Sequence, residues 1–288
     1  MRVALASLVS SVALLVAPGA AAQESTRAPA PADEVITTPV GLRHDVVVDL
    51  VATGVLAGGL ATWTAVKPIR TSCTICDGAG GGEVNAVDDF FRTAFRRDDA
   101  DAAQTASHIV TYGVAPAMGL ALTIGAAAAD RRASEAPLNT LLVAEASLAA
   151  IAVNEAVGAV IRRPRPDATS IDGVSSFPSG AAASAMAITA ATATVATMRG
   201  YRLAPFVWVV GTTVGLTASY LQMAADKSYF TDNLAGAAIG VGVGTLVPIV
   251  FHSRIEPGAT ASARCLERAT LTTRSVPGGR VVAVGWSL

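Results

Sequence analysis

The stretch that decides the fold is DNLAGAAIGVGVGTLVPIVFH, residues 232–252. It is apolar over the about 20 residues that a helix needs to cross a bilayer. Within it Gly236, Gly240 and Gly244 recur at four-residue spacing. Small residues at that spacing let helices approach closely in lipid, so these glycines need no catalytic explanation. Five other segments read the same way, at 46–66, 106–129, 138–161, 180–198 and 203–222. The segment at 180–198 is the least apolar of them, because Ala and Thr dominate it.

Composition agrees. Of 288 residues, 52% are hydrophobic and 15% charged, against about 45–50% and about 25% in soluble domains. The mean hydropathy is +0.50. The shortage of charge excludes a disordered chain and argues against an ordinary soluble enzyme. The net charge of −1 provides no basic field, so no nucleic-acid partner is expected. The chain has three histidines and three cysteines.

The N-terminus reads as a signal peptide over residues 1–22. It has Arg2, an apolar run from Val3 to Val16, and small residues at Ala20 and Ala22. An uncleaved anchor fits the same pattern. Residues 23–45 read as a flexible linker, 46–255 as the helical membrane domain and 256–288 as a tail. In that tail Leu271–Arg274 and Val281–Val284 flank a Pro-Gly-Gly turn and predict a β-hairpin. Glu83 to Arg97, with Phe90, Phe91 and Phe95 among charges, predicts a short amphipathic interfacial helix. Cys73 and Cys76 lie in a Gly-rich stretch, and in an exported chain they form a candidate local disulfide. No metal site is expected there, because two further ligands are missing nearby. Orientation stays open. A cleaved signal puts 67–105 inside, whereas a disulfide wants it outside, and arginines occur on both faces.

Three loop clusters fall at helix ends on one face: Arg162-Arg163-Pro164-Arg165-Pro166-Asp167, Phe177-Pro178-Ser179-Gly180, and Tyr229 to Gly236. Guanidinium forks beside a Ser-Gly helix start form a plausible anion cradle. The forks match phosphate oxygens, and free N–H groups at a helix start favour negative charge.

In order and spacing these clusters resemble the type 2 phosphatidic acid phosphatase (PAP2) superfamily, which also contains the vanadium haloperoxidases. Its pattern is Lys-x6-Arg-Pro, then Pro-Ser-Gly-His, then Ser-Arg-x5-His-x3-Asp. The resemblance spans residues 46–252 and implies an all-α, six-helix membrane bundle of the PAP2 type, here with a C-terminal β-hairpin appended. In that family the last histidine is the nucleophile, oriented by the aspartate. The histidine after Ser-Gly protonates the leaving oxygen, and Lys, the arginines and the Ser-Gly backbone hold the phosphoryl group.

Carried over residue by residue, the pattern is incomplete. Arg165, Pro166, Pro178, Ser179, Gly180 and Asp232 match, and Arg163 is also common in the family. The lysine position is Gly158, the acid histidine is Ala181, the arginine of the third motif is Gln222 and the nucleophile is Ser228. His44, His108 and His252 fall in no motif. His108 reads as interfacial or packing, and neither His44 nor His252 is assigned to chemistry. Ser228 with Asp232 could be drawn as a serine nucleophile, but a carboxylate near its usual pKa of about 4 is a poor base. The simpler reading makes Ser228 and its charged neighbours a solvated loop.

The resemblance therefore implies a PAP2-type protein of a bacterial membrane, without its catalytic histidines. It would be a pseudophosphatase that binds phosphate or lipid phosphate weakly through Arg163, Arg165, Ser179 and Gly180. One rival is an active lipid-phosphate phosphatase with an altered site, and another is a structural or scaffolding membrane protein. Membrane lipid is the expected partner; no cofactor or metal is implied, and no protein partner is specified. Asp49, Glu145 and Glu155 lie inside predicted spans, where charge is expensive and by default functional. Asp49 sits near a helix end, Glu155 about two turns before the arginine cluster, and Glu145 stays open between a bundle contact and function.

Overall fold

The computed structural model describes residues 41–66, 75, 84–167 and 175–255, and the backbone of 269–276 and 279–286. The expected signal peptide and linker, and Cys73, Cys76 and Cys265, lie outside the described residues. A two-residue strand β1 (Gly41–Leu42) leads into α1 (Val46–Val66), followed by α2 (Ala86–Phe95) and α3 (Ala100–His108). A π-helical turn at Ile109–Val114 joins α3 to α4 (Ala115–Ala129). Then come α5 (Ala136–Val160), α6 (Gly180–Arg199), α7 (Ala204–Ala224) and α8 (Phe230–Phe251), the strand β2 (Arg254–Ile255), and the hairpin β3 (Ala269–Val276) and β4 (Gly279–Trp286). The fold is all-α with a small hairpin, as the sequence predicts. Among the described residues, six helical segments are long and apolar enough to cross a membrane.

Local chemistry sets the ends. Asn85 accepts from Asp88 N at the start of α2, and Asp99 from Ala102 N at the start of α3. This cap starts the second span at Ala100 rather than at residue 106, because its first turns are polar and escape a hydropathy reading. Ser179 caps α6, and Gly200, at φ +70°, closes it in the left-handed conformation that glycine adopts without cost. Asp232 reaches back from the first turn of α8 to accept from Tyr229 N at 3.0 Å.

α6 is the central helix. Of its span, 83% is buried, compared with 6% for α1. Its mild hydropathy follows from that position, since neighbouring helices cover it on every side. Ala and Thr there keep those neighbours near. The glycine stripe of α8 seats directly on α6: an ideal Cβ on Gly236 would lie 2.3 Å from Ser179 O, and one on Gly240 would lie 2.4 Å from Ala183 O. α5 packs on both α6 and α8, and α1 lies outside α5. Val47, Val51 and Val55 of α1 and Leu234 and Leu246 of α8 remain exposed, the apolar exterior a lipid-facing bundle presents.

β1 pairs antiparallel with β2, Leu42 opposite Arg254. The entry to α1 and the exit of α8 are thereby tied at one end of the bundle. Leu42 is buried there in a cluster with Leu142, Val143, Ala146, Ala191, Val195 and Met198.

α2 forms where the amphipathic helix is expected, with Asp88 fully buried and Val87, Asp89 and Phe90 exposed. Phe91 stacks on Phe230 with ring centroids 4.0 Å apart, and Phe95 meets Tyr220 edge-on. Ion pairs and rings together dock α2 against the ends of α7 and α8.

Candidate functional site

The three loop clusters meet at the end of the bundle where α5 stops and α6 and α8 start. Ser176 N donates to Arg163 O at 2.7 Å, and Ser179 N donates to Asp232 O at 2.9 Å. These backbone bonds fasten the second cluster to the first and the third. Lys227 pairs with Asp167, closing the remaining side between the first cluster and the α7–α8 turn.

Arg163 stands at the centre, 3% exposed. It donates to Asp232 Oδ1 at 2.7 Å, to Thr231 Oγ1 at 3.0 Å and to Asp88 Oδ2 at 2.8 Å. Its guanidinium carbon lies 3.9 Å from the Tyr229 ring centroid, a cation–π contact. Asp88 also accepts from Thr231 N at 2.9 Å, Thr231 Oγ1 at 2.7 Å and Asn85 Nδ2 at 2.6 Å. One turn along α2, Arg92 forms a fork onto both oxygens of Asp226 at 2.7 Å each and donates to Pro166 O at 2.8 Å.

The charges tune one another. Burial by itself would raise the Asp88 carboxyl, but the hydrogen bonds from Thr231, Arg163 and Asn85 outweigh it and hold the group below the ordinary aspartate value. Burial would likewise lower the Arg163 guanidinium, yet Asp232 and Asp88 keep it above its usual value. Arg92 is raised chiefly by its bond to Asp226. Tyr229 is pushed up by burial.

Gly158, Ala181 and Ser228 stand at or beside the meeting loops, whereas Gln222 bonds to α3. Gly158 lies under the second cluster, where a Cβ would sit 3.3 Å from Phe177 O. Ala181 is buried in the first turn of α6. Gln222 turns away, donating to Ser107 Oγ on α3 at 2.9 Å. Ser228 accepts from Asn233 Nδ2 at 2.7 Å. Ser228 and Asp226 are 5% and 3% exposed, so the solvated-loop reading of this turn is corrected: its polar groups are drawn inward by Asn233 and Arg92. The hydroxyl partner of Ser228 is an amide, and Asp232 is spent on Arg163 and Tyr229 N. The serine-and-base arrangement is therefore not assembled.

Arg165 is half-buried beside the cradle, and among the described residues its Nε has no hydrogen-bond partner. Ser179 is engaged as the cap of α6, accepting from Ala182 N at 3.4 Å, and Gly180 begins that helix. Glu155 accepts from Trp63 Nε1 of α1 at 3.0 Å. His108 is exposed beside Tyr112, in line with its interfacial reading.

Sequence reasoning missed Asp88 and Arg92, and it gave Asp226 and Thr231 no part in holding Arg163 and Arg92. The available signal was the four-residue spacing of Asp88 and Arg92 alongside Phe91 and Phe95, which puts all four on one face of α2. With Asp88 and Asp232 against it, the Arg163 guanidinium holds two carboxylates of the chain itself.

No protein-family model matches the chain, and no curated protein matches it. Among solved structures the chain is similar to the crystal structure of a transmembrane PAP2-type phosphatidylglycerolphosphate phosphatase from Bacillus subtilis. The two are 16% identical, the match covers 70% of this chain and 92% of that one, and the TM-score is 0.41.

Proposed function

We propose that this is a PAP2-type membrane protein that has lost phosphatase chemistry and keeps, at most, weak binding of phosphate or lipid phosphate. The observation that carries the reading is the pairing of motif with occupant. Where the family pattern asks for Lys, His, Arg and His, the chain has Gly158, Ala181, Gln222 and Ser228, and Arg163 is bound by Asp88 and Asp232. Nucleophile, general acid and half the clamp are missing together. In a serine hydrolase, loss of the nucleophile alone costs about a millionfold in turnover. Residual anion affinity would come from the Arg165 guanidinium and from the start of α6 at Gly180, Ser179 N being bound to Asp232 O.

The test is phosphate release from phosphatidic acid and lipid pyrophosphates by protein purified in detergent. The expected rate is that of the buffer. Turnover that disappears in Ser228→Ala would overturn the reading in favour of an active phosphatase with an altered site. Weak binding is checked by a thermal-shift titration with phosphatidic acid or orthovanadate, in which Arg165→Ala should abolish any shift.

A further inference from the structure

At the end of the bundle remote from the motif loops, three ionisable side chains from different helices converge. They are Asp49 in the first turn of α1, Glu145 of α5 and His252 at the end of α8. One ligand atom from each lies within 4.8 Å of the others. Asp49 is 5% and His252 2% exposed. Asp49 Oδ2 is buried without a hydrogen bond, and beside it the buried Glu145 Oε2 and His252 Nε2 have each other, at ion-pair distance, as partner. The unbonded Asp49 Oδ2 is unusual, because buried polar atoms are as a rule satisfied.

We propose that Asp49, Glu145 and His252 bind one divalent first-row transition-metal ion of the Zn2+ class. Three arguments converge on it. His252 Nδ1 lies 3.2 Å from Arg43 O. In the tautomer that donates from Nδ1 to this carbonyl, Nε2 presents its lone pair to the cluster. A backbone carbonyl behind a histidine is the usual orienting partner of a metal ligand. His252 Nε2 and Glu145 Oε2 are 3.3 Å apart. That matches the about 3.3–3.4 Å edge of a tetrahedron built with bonds of about 2.0–2.1 Å. Finally, two carboxylates and one imidazole drawn from three separate elements form a donor set that suits a divalent ion.

The pairing of β1 with β2 brings the three together, since it sets the start of α1 beside the end of α8. A metal there would clasp α1 and α8 to α5. The imidazole and two carboxylates suit zinc better than magnesium, which prefers oxygen and retained water.

The experiment uses the full-length, tag-free protein in mild detergent, stripped with EDTA and titrated with Zn2+ by calorimetry. Co2+ absorption reports the coordination geometry. The expected result is one Zn2+ per chain and a tetrahedral Co2+ spectrum. Asp49→Asn and His252→Ala should each weaken binding by more than about 100-fold, the upper end of the loss seen when only an orienting partner is removed. His44→Ala and the double variant Cys73→Ser/Cys76→Ser should bind as the parent does. Asp49→Asn is nearly isosteric, so it keeps the test valid if His252→Ala does not fold. The proposal is overturned if the parent binds no Zn2+, if Asp49→Asn binds unchanged, or if binding is lost in the cysteine variant instead.

Discussion

Asp88→Ala is the most informative substitution, because it separates a docked α2 from a merely adjacent one. Asp88 accepts four hydrogen bonds, from Arg163, Thr231 N, Thr231 Oγ1 and Asn85. Removing it leaves Arg163, 3% exposed, with Asp232 and Thr231 but without its second carboxylate. Breaking a buried pair by deleting one partner costs about 3–5 kcal/mol. The retained Asp232 places this case at the low end, and the exposed Asn85 adds little. About 3 kcal/mol is therefore expected, which corresponds to a population of undocked α2 larger by a factor on the order of 100. Limited proteolysis across residues 84–97 reads that population directly, and denaturant titration in detergent reads the free energy. The double variant Asp88→Ala/Arg163→Ala should lose more than the single one, since it leaves the buried Asp232 without its guanidinium. A loss under about 0.5 kcal/mol with unchanged proteolysis would refute the docking role of this pair.

The same network makes further predictions. Arg92→Ala strips the fork from Asp226, which is 3% exposed and keeps an ion pair with the exposed Arg96 at 3.5 Å; thermal denaturation should show a loss of about 2–4 kcal/mol. Because the folded Asp88 carboxyl lies below its ordinary value, its contribution is full above about pH 4 and lost as pH falls through the folded value. An acid titration of stability should therefore lose this component in Asp88→Asn. Gly240→Ala should destabilise by about 1–3 kcal/mol, because its Cβ would fall 2.4 Å from Ala183 O. Gly242→Ala on the same helix meets nothing within 4 Å, so its melting temperature should hold or rise, helix propensity favouring Ala by up to about 1 kcal/mol.

Much of the architecture could be read from residue order alone. A bilayer-spanning helix is a one-dimensional signal: about 20 apolar residues announce it whatever surrounds them. The six spans, the hairpin and the glycine stripe of α8 came from such local patterns, and the stripe proved to be the seam with α6. The polar first turns of α3 broke the hydropathy rule, so that boundary was placed late. Motif spacing singled out Gly158, Arg163, Ala181, Gln222, Ser228 and Asp232, and of these Arg163 and Asp232 meet at 2.7 Å. It did not locate what holds them.

That division has a physical cause. Composition and periodicity determined which segments leave water and which residue types stand at each motif position, because transfer to lipid and helix formation are properties of single segments. Only the tertiary structure decided which charges meet. Asp88 and Arg163 are 75 residues apart along the chain, yet their side chains meet at 2.8 Å. Asp49 and His252 come from the first and last spans and share one buried cluster. Electrostatic partnership depends on distance in space and on the exclusion of water around the pair, and neither is written in the order of residues along the chain.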